Sequence, residues 1–328
     1  MVVPARAFRH LRAMTELLTH LLTADPSPVE CATLDAWWPR LLDASAPFAT
    51  TLDRAAAAGF AADRLGWAFA AGYHHALRAL VPSLAADEPA ALAATEEGGG
   101  HPRAIATALR PTADGYALDG AKTFVTLGRH ARTLLVVAST GLDATGLNAL
   151  RLVAVAADAP GLTLDALPAT PFAPEIEHAR ATFTGVSVRA GAVLPGDGYA
   201  LYLKPFRTLE DLHVVGAALG HLLAAARRHA WPEAVAEELV ATLVAVRALA
   251  GEDPARASTH VALAGVFRAL GRSAASAEEG YAALDGEEGL RWRRDRDLLR
   301  VAKGVRELRR AAAWQSLAGR RAPANMGM

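Results

Sequence analysis

The sequence predicts a multidomain α and β protein: an N-terminal helical domain over residues 1–90, a middle β-sandwich or barrel domain over 91–204, and a C-terminal helical bundle over 205–328. Two changes of hydrophobic period predict it. Apolar residues recur every three or four positions up to about residue 90, fall into short alternating or β-branched runs after it, and resume helical spacing beyond Pro205. The length agrees, since 328 residues make two or three domains at roughly 100–200 residues each.

In the first part, Leu11, Met14, Leu18 and Leu22 share one helical face. Leu65, Phe69, Tyr73, Leu77 and Leu80 share another, and Pro82 ends it. The middle part contains residues 116–126, bracketed by Asp114-Gly115 and divided by Asp119-Gly120, each dipeptide a favourable hairpin turn. Further strands are expected over 134–138, 150–156 and 181–188. In the last part Thr208 is expected to begin a helix and Trp231-Pro232 to interrupt the pattern, with helices again over 239–249 and 260–270. A final long helix would use Leu298, Val301, Ala302, Val305, Leu308 and Ala312, and the tail from 319 lacks periodicity.

Composition excludes several functions. The 34 basic side chains balance 34 acidic ones, whereas a protein held mainly by nucleic-acid phosphates carries a basic excess. Cys31 is alone, so neither an internal disulfide nor a cysteine zinc cage can form. The first twenty residues carry Arg6, Arg9 and Arg12 but no apolar run of signal-peptide or membrane-span length, which predicts a cytoplasmic protein. No phosphate loop, H-E-x-x-H or G-x-S-x-G motif occurs, and no metal site is expected. His74 and His75 are adjacent, which turns them to different sides of a helix, so they read as surface or packing residues.

Four stretches in order resemble the acyl-CoA dehydrogenase family. Ala94-Thr95-Glu96-Glu97-Gly98-Gly99-Gly100-His101 is similar to its T-E-P-G-A-G-S flavin loop. Residues 115–128, with Gly115, Tyr116, Leu118, Gly120, Lys122, Phe124, Thr126 and Gly128 in place, resemble its G-y-x-L-n-G-x-K-x-[WF]-I-T-n-G segment. Residues 208–220 resemble the start of its third-domain helix, and residues 286–295 the G-G-x-G-[FY]-x-W-E-x-D turn of one subgroup.

The resemblance implies an FAD-dependent oxidoreductase of fatty-acid metabolism, with the family's helix–strand–helix architecture. It places Thr95, Gly98 and Gly100 along the flavin and its pyrophosphate. A glycine-rich loop lets backbone N–H groups approach an anion closely, although by itself it is equally a flexible connector. His101 stands for the family's serine, and Glu97 for its proline, which suits a pyrophosphate only if Glu97 turns outward. Phe124 and Thr126 would pack on the ring and bond near its N5 edge. Two apart on a strand, they should share a face, as would an ordinary core phenylalanine and strand threonine.

For the base, the family's usual carboxylate near the start of the last helix is replaced here by Lys303. Glu210, ten residues before Gly220, falls on the alternative position of the isovaleryl-CoA dehydrogenase branch. Against this, Thr208-x-x-Asp211 reads as a capping box, which would make Glu210 a first-turn structural acid. The R-x-x-F-G loop that reaches a neighbouring subunit's flavin is missing, and Arg227-Arg228-His229-Ala230-Trp231-Pro232 stands there instead. Lys204-Pro205-Phe206-Arg207 reads as a domain hinge or a phosphate contact, and residues 293–297 as a solvated charged turn.

The expected partners are an acyl-CoA or similar thioester, an electron-transfer protein and further subunits in a homo- or hetero-oligomer. Two competing readings are a flavin monooxygenase or nitroalkane-oxidase-like enzyme, and a catalytically degenerate subunit of an intact dehydrogenase.

Overall fold

The computed structural model describes residues 16–284 and 286–319. The chain forms two compact units, one of residues 1–76 with 208–328 and one of residues 77–207. Of the expected helix at 8–22, residues 8–15 lie outside the described residues, as does the tail from 320; residues 16–23 are helix α1.

The first unit is helical: α2 (Leu34–Ser45), α3 (Thr51–Ala61), α4 (Leu65–Leu80), α5 (Lys204–Arg228), α6 (Glu233–Ala250), α7 (Ala257–Ala282), α8 (Glu287–Asp295) and α9 (Lys303–Leu317). α4 and α5 run through the limits of this unit. Thr33 and Thr50 cap α2 and α3, each accepting a backbone N–H with its hydroxyl. The core joins Leu17 and Leu21 of α1 to Leu52, Phe60, Leu219, Leu222, Leu243, Leu263 and Tyr281. α3 and α5 cross at small residues: a Cβ on Gly59 would lie 2.0 Å from the Ala217 carbonyl oxygen, and one on Gly220 2.1 Å from that of Ala56. His74 and His75 are both buried, so the surface reading of that pair falls; His75 Nε2 meets Ser45 Oγ at 2.9 Å, and His74 stacks edge-on against Trp38.

The second unit is one seven-stranded sheet: β1 (Ala90–Ala93), β2 (Ala108–Thr112), β3 (Gly115–Thr126), β4 (Thr133–Leu142), β5 (Asn148–Ala156), β6 (Leu162–Ala166) and β7 (His178–Val188). The order is β1-β4-β2-β3-β7-β6, with β5 on the other edge of β4. β1 and β2 lie parallel to β4, and the other pairs are antiparallel. The sheet curls, since the Thr123 N–H at the far end of β3 reaches back to the Thr95 carbonyl beyond β1, at 2.7 Å. Its core is Leu109, Leu118, Val125, Leu134, Val136, Val153, Phe183 and Val186.

Three expectations need correction. Asp114-Gly115 does turn β2 into β3, but Asp119-Gly120 is no turn: Gly120 (φ 143°) sits at a bulge inside β3, where a Cβ would strike Thr107. Asp119 instead accepts the Gly185 N–H at 2.8 Å. α5 begins at Lys204, after a π-helical turn at Tyr199–Leu203, so Thr208 starts nothing. The last helix begins at Lys303; Leu298 lies in a 3-10 turn, Ala302 has φ 64°, and Val301, Val305 and Leu308 are exposed among the described residues. Residues 199–228 are the one stretch among the described residues apolar and long enough to cross a membrane, and most of it is buried in the protein.

Candidate functional site

The glycine-rich segment is a tight turn. The Gly99 N–H donates to the Glu96 carbonyl at 2.8 Å and the Glu96 N–H to that of Gly99 at 3.2 Å. Gly99 takes φ 95°, where a side chain is strained. The two adjacent acids have opposite fates. Glu97 is exposed, turning outward, while Glu96 turns in and accepts from the Ala106 N–H (2.8 Å), the Thr107 N–H (3.0 Å) and Lys122 Nζ (2.7 Å). Lys122 is fully buried and also reaches the Ala94 carbonyl at 3.3 Å. This pair ties the glycine turn to β3, joining two motifs that are 26 residues apart.

Burial alone would raise the Glu96 carboxyl, but the Lys122 hydrogen bond and the two amides outweigh it and hold it below the usual carboxylate range. Burial lowers the Lys122 ammonium to about 8 against the opposing pull of Glu96. Three donors converge on one carboxylate, so the ion pair stands at neutral pH.

β3 slips register between Lys122 and Val125, and Phe124 takes φ 53°. A left-handed non-glycine residue costs roughly 1–2 kcal/mol. The slip turns Val125 into the core and leaves Phe124 63% exposed. Val125 faces the core between them, and Phe124 and Thr126 on either side of it both meet one residue of β7. Thr126 Oγ1 meets His178 Nδ1 of β7 at 3.3 Å, and the Phe124 ring stands edge-on to the His178 ring at 6.1 Å. Burial lowers the His178 pKa, so this imidazole is neutral at pH 7. Sequence reasoning missed His178, because only the β3–β7 register, which pairs it with Thr126, reveals it.

Gly98 and Gly100 have ordinary φ, and added Cβ atoms would meet nothing closer than Ala104 Cβ at 3.6 Å and Thr95 Oγ1 at 3.5 Å. The chain's own packing does not require glycine there. Open backbone beside an exposed aromatic ring, with the Thr95 and Thr126 hydroxyls near it, fits a flat ring carrying an anionic group. Arg207 Nη2 donates to the Gly100 carbonyl at 3.4 Å, which gives the Lys204–Arg207 stretch a contact with the turn. His101 Nδ1 accepts the Arg103 N–H at 3.2 Å, capping the next short turn.

Glu210 belongs to the helical unit, whereas Thr95, Gly98, Gly100, Phe124 and Thr126 all belong to the sheet unit. Glu210 is half-buried in the second turn of α5, so the first-turn reading fails. The capping box is absent too. Thr208 Oγ1 donates to the Pro254 carbonyl at 3.1 Å, and the buried Asp211 takes Arg306 (3.0 Å) and Arg309. Two guanidinium groups thus offset the charge of the carboxylate next to Glu210.

The segment replacing the R-x-x-F-G loop is structural. Arg227 donates to the Leu21 and Ala24 carbonyls at 2.8 Å, Arg228 to that of Pro26 at 2.8 Å, and His229 meets Glu288 at 3.1 Å. Residues 293–297 are not simply solvated: Asp295 is buried against Arg294, and Arg296 pairs with Glu278. No group of three or more His, Cys, Asp or Glu able to hold a metal occurs among the described residues.

Residues 91–186 match the family model for the middle domain of acyl-CoA dehydrogenases. No curated protein matches the chain by sequence. Among solved structures, the butyryl-CoA dehydrogenase of Megasphaera elsdenii aligns with TM-score 0.66 at 17% identity, over 97% of this chain and 99% of its own. A glutaryl-CoA dehydrogenase from Mycobacterium smegmatis, in complex with FADH2, aligns with TM-score 0.64 at 16% identity, over 96% and 95%. The prolyl acyl carrier protein oxidase AnaB aligns with TM-score 0.70 at 18% identity, over 96% and 100%. Across these proteins the order of helices, curled sheet and helices is shared.

Proposed function

We propose that the chain, whose residues 91–186 match the middle domain of acyl-CoA dehydrogenases, is a divergent member of that family and an FAD-dependent oxidoreductase that removes hydrogen across the α and β carbons of an acyl thioester. The observation that carries the reading is the exposed Phe124 on its left-handed bulge, beside a glycine turn whose open positions the fold itself does not need.

In this reading Thr95, Gly98 and Gly100 receive the cofactor's phosphates, and Phe124 and Thr126 its ring. His178 holds the Thr126 hydroxyl and the Phe124 ring in place. FAD would supply the acceptor for the hydride leaving the β carbon. Glu210 takes the α proton, a task that suits a carboxylate withdrawn from water. Asp211 is tied to two arginines, which offset its charge beside Glu210. The thioester carrier is coenzyme A or an acyl carrier protein, as in the relatives named above. The working form is a cytoplasmic oligomer of three-domain chains that passes electrons to a partner protein or, as an oxidase, to oxygen.

The test is absorbance. The purified protein is expected to show the flavin band, or to gain it with added FAD, and to lose it anaerobically on addition of a substrate thioester. Glu210→Gln should keep the band and slow bleaching by roughly a thousandfold. A colourless protein that takes up no FAD ends this reading and leaves the degenerate-subunit reading, which Lys303 at the usual base position favours. Bleaching unchanged in Glu210→Gln removes the assigned base.

A further inference from the structure

The helical unit contains a second cavity, of about 670 Å³, between α7, the 3-10 turn at Arg296–Arg300 and α9. All of its lining belongs to that unit, and it shares no residue with the glycine turn, Phe124, Thr126 or Glu210. The volume is within the roughly 300–1,000 Å³ of small-molecule sites. Its lining has two chemistries. Leu263, Phe267, Leu270 and Leu299 supply an apolar floor, while guanidinium and ammonium groups outnumber carboxylates around them.

The acids present are largely committed. Glu278 pairs with Arg296 and Glu307 with Arg310. Arg268 and Lys303 have no acidic partner among the described residues. Two further cations are fixed in place: Asp211 grips Arg306 and Arg309 from below, and Arg306 lies over the Phe267 ring at 4.0 Å. Arg309 is spent on Asp211, and its other guanidinium nitrogens are shielded from water, so the cations open to the cavity are Arg268, Lys303 and Arg306.

We propose that this cavity binds a small amphipathic anion, an apolar chain seated on Phe267 and the leucines with a carboxylate or phosphate head held by Lys303, Arg268 and Arg306. The floor buries the chain, and Arg306, already held by Asp211 and the Phe267 ring, meets the head without first losing its own order. A cationic amphiphile would meet the same groups with repulsion.

Calorimetric titration of the full chain with monomeric dodecanoate, dodecyl phosphate and dodecyltrimethylammonium tests this. The expected result is saturable binding of at least one of the two anions and none of the cation; which anion binds more tightly distinguishes a carboxylate from a phosphate head. The double variant Arg268→Glu, Lys303→Glu, at two exposed positions, should weaken anion binding at least roughly tenfold. Gly271→Trp, where an added Cβ meets nothing within 4 Å, should fill the cavity mouth and abolish binding while thermal unfolding stays cooperative. The proposal is overturned if neither anion binds, if the cation binds equally, or if both variants bind as wild type. It is also overturned if neither anion binds and Gly271→Trp instead changes the sedimenting mass, which would make the cavity a face for a second copy of the chain.

Discussion

Lys122 is the residue on which the glycine turn depends. Its ammonium is fully buried, and losing it would leave Glu96 charged with only two amides for company. Breaking a buried pair by removing one partner costs about 3–5 kcal/mol. Lys122→Met is therefore expected to lower unfolding stability by about that amount in urea titration. Phe124 tests the opposite logic, because its backbone is strained and its ring mostly in water. Phe124→Gly removes a strain of about 1 kcal/mol, so the FAD-free protein should be no less stable by urea titration. Loss of the ring face should nonetheless weaken FAD binding by at least roughly tenfold, read by fluorescence titration. A fall in both properties would make Phe124 a structural residue.

At the scale of elements, the α3–α5 crossing shows why the sequence around Gly220 runs to small residues. Ala exceeds Gly in helix propensity by about 1 kcal/mol, yet a methyl at Gly220 would lie 2.1 Å from the Ala56 oxygen and 3.0 Å from the Phe60 nitrogen. Overpacking of that kind costs roughly 1–3 kcal/mol, so Gly220→Ala is expected to lower the Tm. Gly271→Ala, in open space on α7, should raise or preserve it, and the contrast separates packing from propensity. Local signals also misled at this scale. Asp119-Gly120 carries turn chemistry, but Thr107 and Gly185 make it a bulge. Thr208 and Asp211 carry cap chemistry, but Pro254 and two arginines of α9 claim them.

Over the whole molecule, buried histidines contribute to acid sensitivity, most strongly in the helical unit. His213, whose Nδ1–H donates to the Leu209 carbonyl (2.7 Å) and whose Nε2 accepts from Thr51 (2.9 Å), is lowered by burial to about 4, and burial lowers His221 as well. Both are neutral in the fold and take up protons on unfolding. Below their unfolded value of 6.5 the unfolded chain binds more protons, so stability falls as pH drops from 6.5 towards 4. For His213 the full loss is about 3 kcal/mol. Urea midpoints between pH 7 and 4 should show this decline, and His213→Gln should flatten it; an unchanged slope in the variant would place the titration elsewhere.

The order helices, strands, helices was legible in the sequence because hydrophobic period is a local property, and each part is long enough to display its own. The glycine turn and the β3 motif were legible for a related reason: their residues are contiguous, so resemblance could find Thr95, Gly98, Gly100, Phe124 and Thr126 together. What joins them was not. The Glu96–Lys122 tie, the place of His178 beside Thr126, and the arginines around Asp211 each depend on strands or helices far apart in the chain. Those contacts exist only once register and packing are fixed, and no spacing along the sequence encodes them.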